Sequence, residues 1–198
     1  MKVLIACEES GTVREAFRNK GHDAWSCDIL PTRIKGNHIQ DDVLKYLDED
    51  WDIIIAHPPC TYLTNAAACR LYPSKGKIDV IRYKKGLEAK EFFLKFYNNK
   101  CNKIAIENPI SSKVFNLPKY TQEIQPYEFG HPVSKKTRLW LKGLPKLIPT
   151  NIVKKESTFL PSNTSKTKGT GVNSGKPRGI DRSKTFEGIA NAMANQWG

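Results

Sequence analysis

The sequence predicts a doubly wound α/β fold built on a mainly parallel sheet. Three observations point there. Strand-like apolar runs alternate with helical patterns across the first two thirds of the chain. One of those runs, DIIIAH at 52–57, holds three consecutive isoleucines, as expected where helices cover both faces of a sheet. The first four runs each end in polar residues, CEESG, Asp28, HPPC and ENP, and the carboxyl edge of such a sheet is where ligands bind.

Taken in order, KVLIAC (2–7) reads as a buried strand and VREAFRNK (13–20) as a helix closed by Gly21. DAWSCDI (23–29) is the next strand, ending before Pro31, and VLKYLDED (43–50) is expected as a short helix ahead of the third strand, 52–57. After a loop with Pro73 and Gly76, VIRYKKGLEAKEFFLKFYNN (80–99) has the period of a long amphipathic helix. KIAIENP (103–109) is a fourth strand stopped by Pro109. Beyond Gly130, TRLWLKGLP (137–145) looks like a strand, residues 148–179 are polar, basic and turn-rich, and SKTFEGIANAMANQW (183–197) recovers a helical pattern. The chain thus leaves its main domain (1–145) for a small basic insertion (146–182) and returns in a closing helix (183–198).

With 198 residues there is room for one full-sized domain and no second large one. At 39% hydrophobic residues, and with no apolar run near the ~18 needed to span a bilayer, the composition is that of a soluble globular chain with no membrane partner. Glu8 and Glu9 interrupt the first apolar run too early for a signal-peptide core, so a cytoplasmic location is expected. The five cysteines are odd in number and never in C-x-x-C spacing, which indicates neither a disulfide framework nor a metal site. Cys7, Cys27 and Cys101 read as core filler.

Charge is uneven: residues 1–60 carry 7 Lys/Arg against 11 Asp/Glu, whereas residues 131–198 carry 13 against 3. A basic later part attached to an acidic front suggests a polyanion-binding face. Its cations are Lys135, Lys136, Lys154, Lys155, Lys166, Lys168, Lys176, Arg178 and Arg182.

Chemistry concentrates behind the third strand. Pro58 and Pro59 have fixed φ and no amide hydrogen to give a neighbouring strand, so they stop the strand and aim the thiol of Cys60 above the sheet edge. A thiol so placed suits a nucleophile, and Glu107 at the end of the next long strand is its obvious acidic partner.

The ordered set HPPC, IENP, SKKTRLWL and IANAM resembles the motif series of the DNA cytosine-5 methyltransferases. Those enzymes show a prolyl-prolyl-cysteine, a Glu-Asn-Val, a Gln-x-Arg-x-Arg and a closing Gly-Asn-Ala-Val on a Rossmann-like sheet. The resemblance implies a methyl transfer from S-adenosylmethionine to a flipped cytosine in DNA, with Cys60 adding to C6 and Glu107 holding N3 and the exocyclic amine. Arg138 matches the second arginine of the third motif, while Lys136 and Ser134 stand where the family has Arg and Gln. On the cofactor side, Ser10 and Gly11 retain the end of the family's Phe-x-Gly-x-Gly; Asp28 fits a ribose acceptor, Asp42 the adenine-amine contact, and Pro58 and Asn191 complete the expected pocket. Glu8 and Glu9 in that loop tolerate a sulfonium or amino group and oppose a phosphate. In place of the family's large target-recognition domain stands only 146–182, which implies weak sequence specificity, as in compact phage-encoded relatives. Methyl transfer to RNA or to a free pyrimidine nucleotide, and a DNA-binding protein on a degenerate methyltransferase fold, are the alternatives. A zinc deaminase would need H-x-E with P-C-x-x-C, and neither is present.

Overall fold

A computed structural model describes residues 1–155 and 184–198. Seven strands form one sheet: β1 (Lys2–Ala6), β2 (Asp23–Asp28), β3 (His38–Gln40), β4 (Ile53–Ala56), β5 (Ile104–Pro109), β6 (Gln122–Ile124) and β7 (Thr137–Lys142). Their spatial order is β3-β2-β1-β4-β5-β7-β6. The first five are parallel, and β7 runs antiparallel between β5 and β6. The direction of winding reverses between β1 and β4, so this is a Rossmann-like doubly wound α/β sheet with its switch point at the ends of those two strands.

The isoleucine run now has its reason. Side chains alternate across a strand, so Ile53 and Ile55 join the core under one face while Ile54 and Ala56 join the core under the other, and all four are fully buried. On the first face lie α1 (Thr12–Arg18) and α4 (Glu187–Trp197), which pack Val13 and Phe17 with Ile189, Met193 and Trp197. On the second lies α3 (Val80–Tyr97) with Phe93 and Phe96 against Trp140. A single turn of helix, α2 (Ala68–Leu71), precedes α3. The last helix packs on the first face and comes very close to the chain there: a Cβ at Gly188 would overlap the carbonyl oxygen of Phe129.

The expected helix over 43–50 is only a 3₁₀ turn, Val43–Lys45. Asp48, Glu49 and Asp50 would place three acids at a helix carboxyl end, where the helix dipole disfavours them. The strands β3 and β6 have three residues each, too few to show a period, and pairing with their neighbours makes them. No described helix is long and apolar enough to cross a membrane.

Candidate active site

Where β4 and β5 end, two side chains meet that the sequence does not pair. Ala56 lies beside Ile106 in the parallel register, so the next residues, His57 and Glu107, fall side by side on the face of α1 and α4. His57 Nδ1 and Glu107 Oε2 are 2.7 Å apart, and their side chains keep only 10% and 13% of their exposure. Thr185, just ahead of α4, donates its hydroxyl to the same oxygen at 3.4 Å. Burial works against the Glu107 carboxylate, but the hydrogen bond and charge of His57, with Lys135 and Thr185 adding, outweigh it and hold the carboxyl down at about 2. Burial likewise opposes the imidazolium, and the bond to Glu107 with its charge and that of Glu8 outweighs burial and the opposing Lys135, so His57 titrates above its ordinary range. Each partner thus favours the charged form of the other.

Cys60 is half-buried in the loop that follows, behind buried Pro58 and exposed Pro59. Its carbonyl accepts from the amides of Leu63 and Thr64, at 3.0 and 2.9 Å, which turns the chain back. That turn is tied to the loop after β5. Asn65 N donates to Ile110 O at 2.8 Å, Ser112 N to Leu63 O at 2.7 Å, and the Asn108 side-chain amide reaches Pro58 O at 3.5 Å. The segments bearing Cys60 and Glu107 are therefore held to one another by their own backbones. Tyr62 continues the loop and carries Arg82 of α3 over its ring, while Arg82 Nη2 donates to Thr61 O at 2.7 Å.

At the ends of β1 to β3 a second group gathers. Glu8 is almost fully buried, and its carboxylate takes Val13 N at 2.7 Å, Arg14 N at 3.2 Å and the Ser10 hydroxyl at 3.1 Å. It occupies the amino end of α1, where a Rossmann-type fold otherwise receives a phosphate. Gly11 sits at φ +72° between Glu8 and the helix, and a Cβ there would lie 2.7 Å from Arg14 Nη2. Ser10 and Gly11 thus shape the loop. Asp28 accepts from Leu30 N at 2.9 Å and Asp42 caps the 3₁₀ turn by accepting from Leu44 N at 3.0 Å. Burial raises the Cys7 thiol well above its ordinary range, and Asp28, Cys27 and Asp42 push it further. The edge is acidic, with exposed Ile29 and Leu30 beside it. This donor set suits a ligand with hydroxyls and a positive charge and without phosphate, and S-adenosylmethionine fits that description. Asn191 is exposed on α4.

Arg138 lies opposite Asn108 in the β5–β7 register, one place from Glu107, so its side chain leaves on the other face of the sheet. There it stacks over Tyr120 at 4.3 Å, comes within 3.7 Å of Glu123 and lines a cleft with Ser111, Lys113 and Lys119. Among the described lysines and arginines it is Lys135 whose charge favours the ionised form of Glu107. Lys136 pairs with Glu123 at 3.0 Å, and Lys154 and Lys155 are exposed. Lys166, Lys168, Lys176, Arg178 and Arg182 lie outside the described residues.

Sequence reasoning brought Cys60 and Glu107 to neighbouring strand ends and did not find the roles of His57, Lys135 or Thr185 beside them. His57 carried a signal, being a histidine at a strand end directly before two prolines, but Thr185 is 78 residues from Glu107 and nothing local marks it.

No family model matches the chain, and no curated protein does. Among solved structures it is similar to the methyltransferase EhMeth of Entamoeba histolytica, at 15% identity and a TM-score of 0.44, over 77% of this chain and 57% of that one. It is also similar to a mutant DNMT2 of Spodoptera frugiperda, at 17% identity and a TM-score of 0.39, over 80% of this chain and 56% of that one. The chain spans little more than half the length of either.

Proposed function

We propose that this protein is a cytosine-5 methyltransferase that acts on DNA through a covalent bond between Cys60 and C6 of the target base. The observation that carries this reading is the tie between two strand-end loops: the segment with the thiol is hydrogen bonded to the segment that follows the ionised Glu107. A nucleophile beside a carboxyl–imidazole pair is what addition to a pyrimidine needs, because sulfur attacks one ring carbon while a proton must reach the ring nitrogen. Cys60 Sγ, as thiolate, bonds to C6, the C5–C6 π electrons move through C5 and C4 toward N3, and N3 takes a proton at the hydrogen-bonded His57–Glu107 pair. The charge of Lys135 favours the ionised carboxyl and offsets negative charge near the base. Asn108 steadies Pro58, and with it the direction of the thiol.

S-adenosylmethionine would lie at the ends of β1 to β3, held by Asp28 and Asp42 and by the backbone around Gly11. When bound it supplies an electrophilic methyl group to C5. Glu8, by filling the amino end of α1, selects against a phosphate-bearing ligand. A polyanionic substrate accords with the exposed cations near the thiol loop: Arg70, Lys75, Lys77 and Lys84 stand on the stretch that runs from Cys60 into α3.

The test is transfer of labelled methyl from S-adenosylmethionine to DNA, RNA and free dCMP side by side. Transfer to cytosine in DNA that disappears in Cys60→Ser is expected. Undiminished transfer by Cys60→Ser would remove the assigned nucleophile, and transfer only to RNA or dCMP would replace the substrate.

A further inference from the structure

We propose that His57 and Glu107 work as one proton-holding pair, in which His57 is a positioning residue that keeps the proton Glu107 delivers to N3 of the cytosine. The inference rests on the cytosine reading above and goes beyond it, since the motif resemblance supplies a glutamate alone. Its basis is geometric. The backbone of His57 is held by the bond from its amide to Ala6 O at 2.9 Å, and its ring by the 2.7 Å bond to Glu107 Oε2. The other ring nitrogen, Nε2, is buried without a hydrogen-bond partner among the described residues. A buried polar atom left so is a cost that calls for a purpose. Both bonds to the Glu107 carboxyl fall on Oε2, which leaves Oε1 for a substrate.

Among the described residues two charged groups act on the pair, Glu8 after β1 and Lys135 before β7, and the neutral Thr185 hydroxyl reaches it from ahead of α4. The carboxyl, held down at about 2, has no proton of its own to give at neutral pH, whereas a protonated His57 does. The proton count closes as follows. Thiolate, cytosine and the imidazolium–carboxylate pair go to an S–C6 adduct carrying hydrogen on N3, with a neutral imidazole beside the carboxylate; one negative charge is present before and after. On elimination the C5 hydrogen leaves as a proton to water, its bonding pair forms C5=C6, the S–C6 electrons return to sulfur and the N3 proton returns to the pair. Glu107 touches the base and His57 acts through it.

Two readouts test this. The chain has four histidines, and the Cε1–H signal that His57→Asn removes identifies His57 in a proton titration by NMR. Its midpoint is expected above 6.5 in the intact protein and below 6.5 in Glu107→Gln, where burial is no longer opposed by the carboxylate; a midpoint that stays above 6.5 in that variant overturns the pairing. The second readout is release of tritium from duplex DNA labelled at C5 of cytosine, without methyl donor, because the adduct exchanges its C5 hydrogen with water. Wild-type release should decline through the His57 midpoint as pH rises. His57→Asn should lose on the order of 10²-fold near neutral pH and decline at a different pH. Release by His57→Asn within about threefold of wild type with an unshifted profile overturns the proposal. Release that persists unchanged in Cys60→Ala, or no release by any form, overturns the nucleophile reading and the proposal with it.

Discussion

Replacing Glu8 by alanine is expected to be among the most damaging single changes outside the apolar core. The carboxylate satisfies two backbone amides in the first turn of α1, Val13 N and Arg14 N, and also accepts from Ser10, whose hydroxyl in turn takes Thr12 N at 3.3 Å. Alanine leaves the two amides without acceptors in a nearly closed site. A lost side-chain cap costs about 0.5–2 kcal/mol, and each buried donor left unpaired costs about 1–3 kcal/mol. Water admitted by the shorter side chain recovers part of this, so a net loss of about 3 kcal/mol follows. For a chain of this size that corresponds to a fall in Tm of roughly 6–12 °C. Glu8→Gln keeps an acceptor and should lose about 1 kcal/mol. Urea unfolding followed by far-UV circular dichroism, alongside a thermal melt, measures both. A loss below about 0.5 kcal/mol in Glu8→Ala would refute the assignment of Glu8 as the cap of α1. The same variant should gain affinity for inorganic phosphate, because the emptied helix end is an anion site.

Gly188→Ala should destabilise the protein by about 1–3 kcal/mol in the same unfolding assay, because its Cβ would overlap the backbone oxygen of Phe129 and α4 must retreat from the sheet. That retreat draws Thr185 from Glu107, so methyl transfer should fall further than stability alone explains. The His57–Glu107 pair should also give the protein a stability that depends on pH in a definite direction. Lowering the Glu107 carboxyl from 4.5 to about 2 corresponds to about 3 kcal/mol, complete above pH 4.5 and lost as pH falls toward 2. His57, raised above 6.5, reports the same interaction from the other partner: its contribution is complete below 6.5 and is lost as pH rises through its folded value. Urea midpoints measured across pH should show this plateau in the wild type, and removing both partners together should cost less than removing Glu107 alone.

The parallel strands and the chemistry of one edge were legible because their signals are local. A run of apolar residues as dense as 53–56 has few options other than a buried strand, and two prolines must end it, so Cys60 and Glu107 could be placed on neighbouring strand ends from residue types alone. The short strands β3 and β6 were not legible, since three residues carry no period and only the neighbouring strands decide whether they pair. Charge at the carboxyl end likewise reduced an expected helix to the turn Val43–Lys45.

What the amino-acid sequence determined by itself was the alternation of strand and helix, the punctuation by proline and glycine, and the placing of Cys60 and Glu107 at strand ends, all of which follow from side-chain type and spacing along one stretch of chain. Only the tertiary structure decided the electrostatics of the site. That His57 holds Glu107, that Lys135 rather than Arg138 is the described lysine or arginine whose charge favours the ionised carboxyl, and that Thr185 joins them depend on parallel register, on which face of β7 a residue leaves, and on the return of α4. Those are contacts between residues as much as 78 positions apart, and no local pattern encodes them because burial and partner distance exist only once the chain is closed.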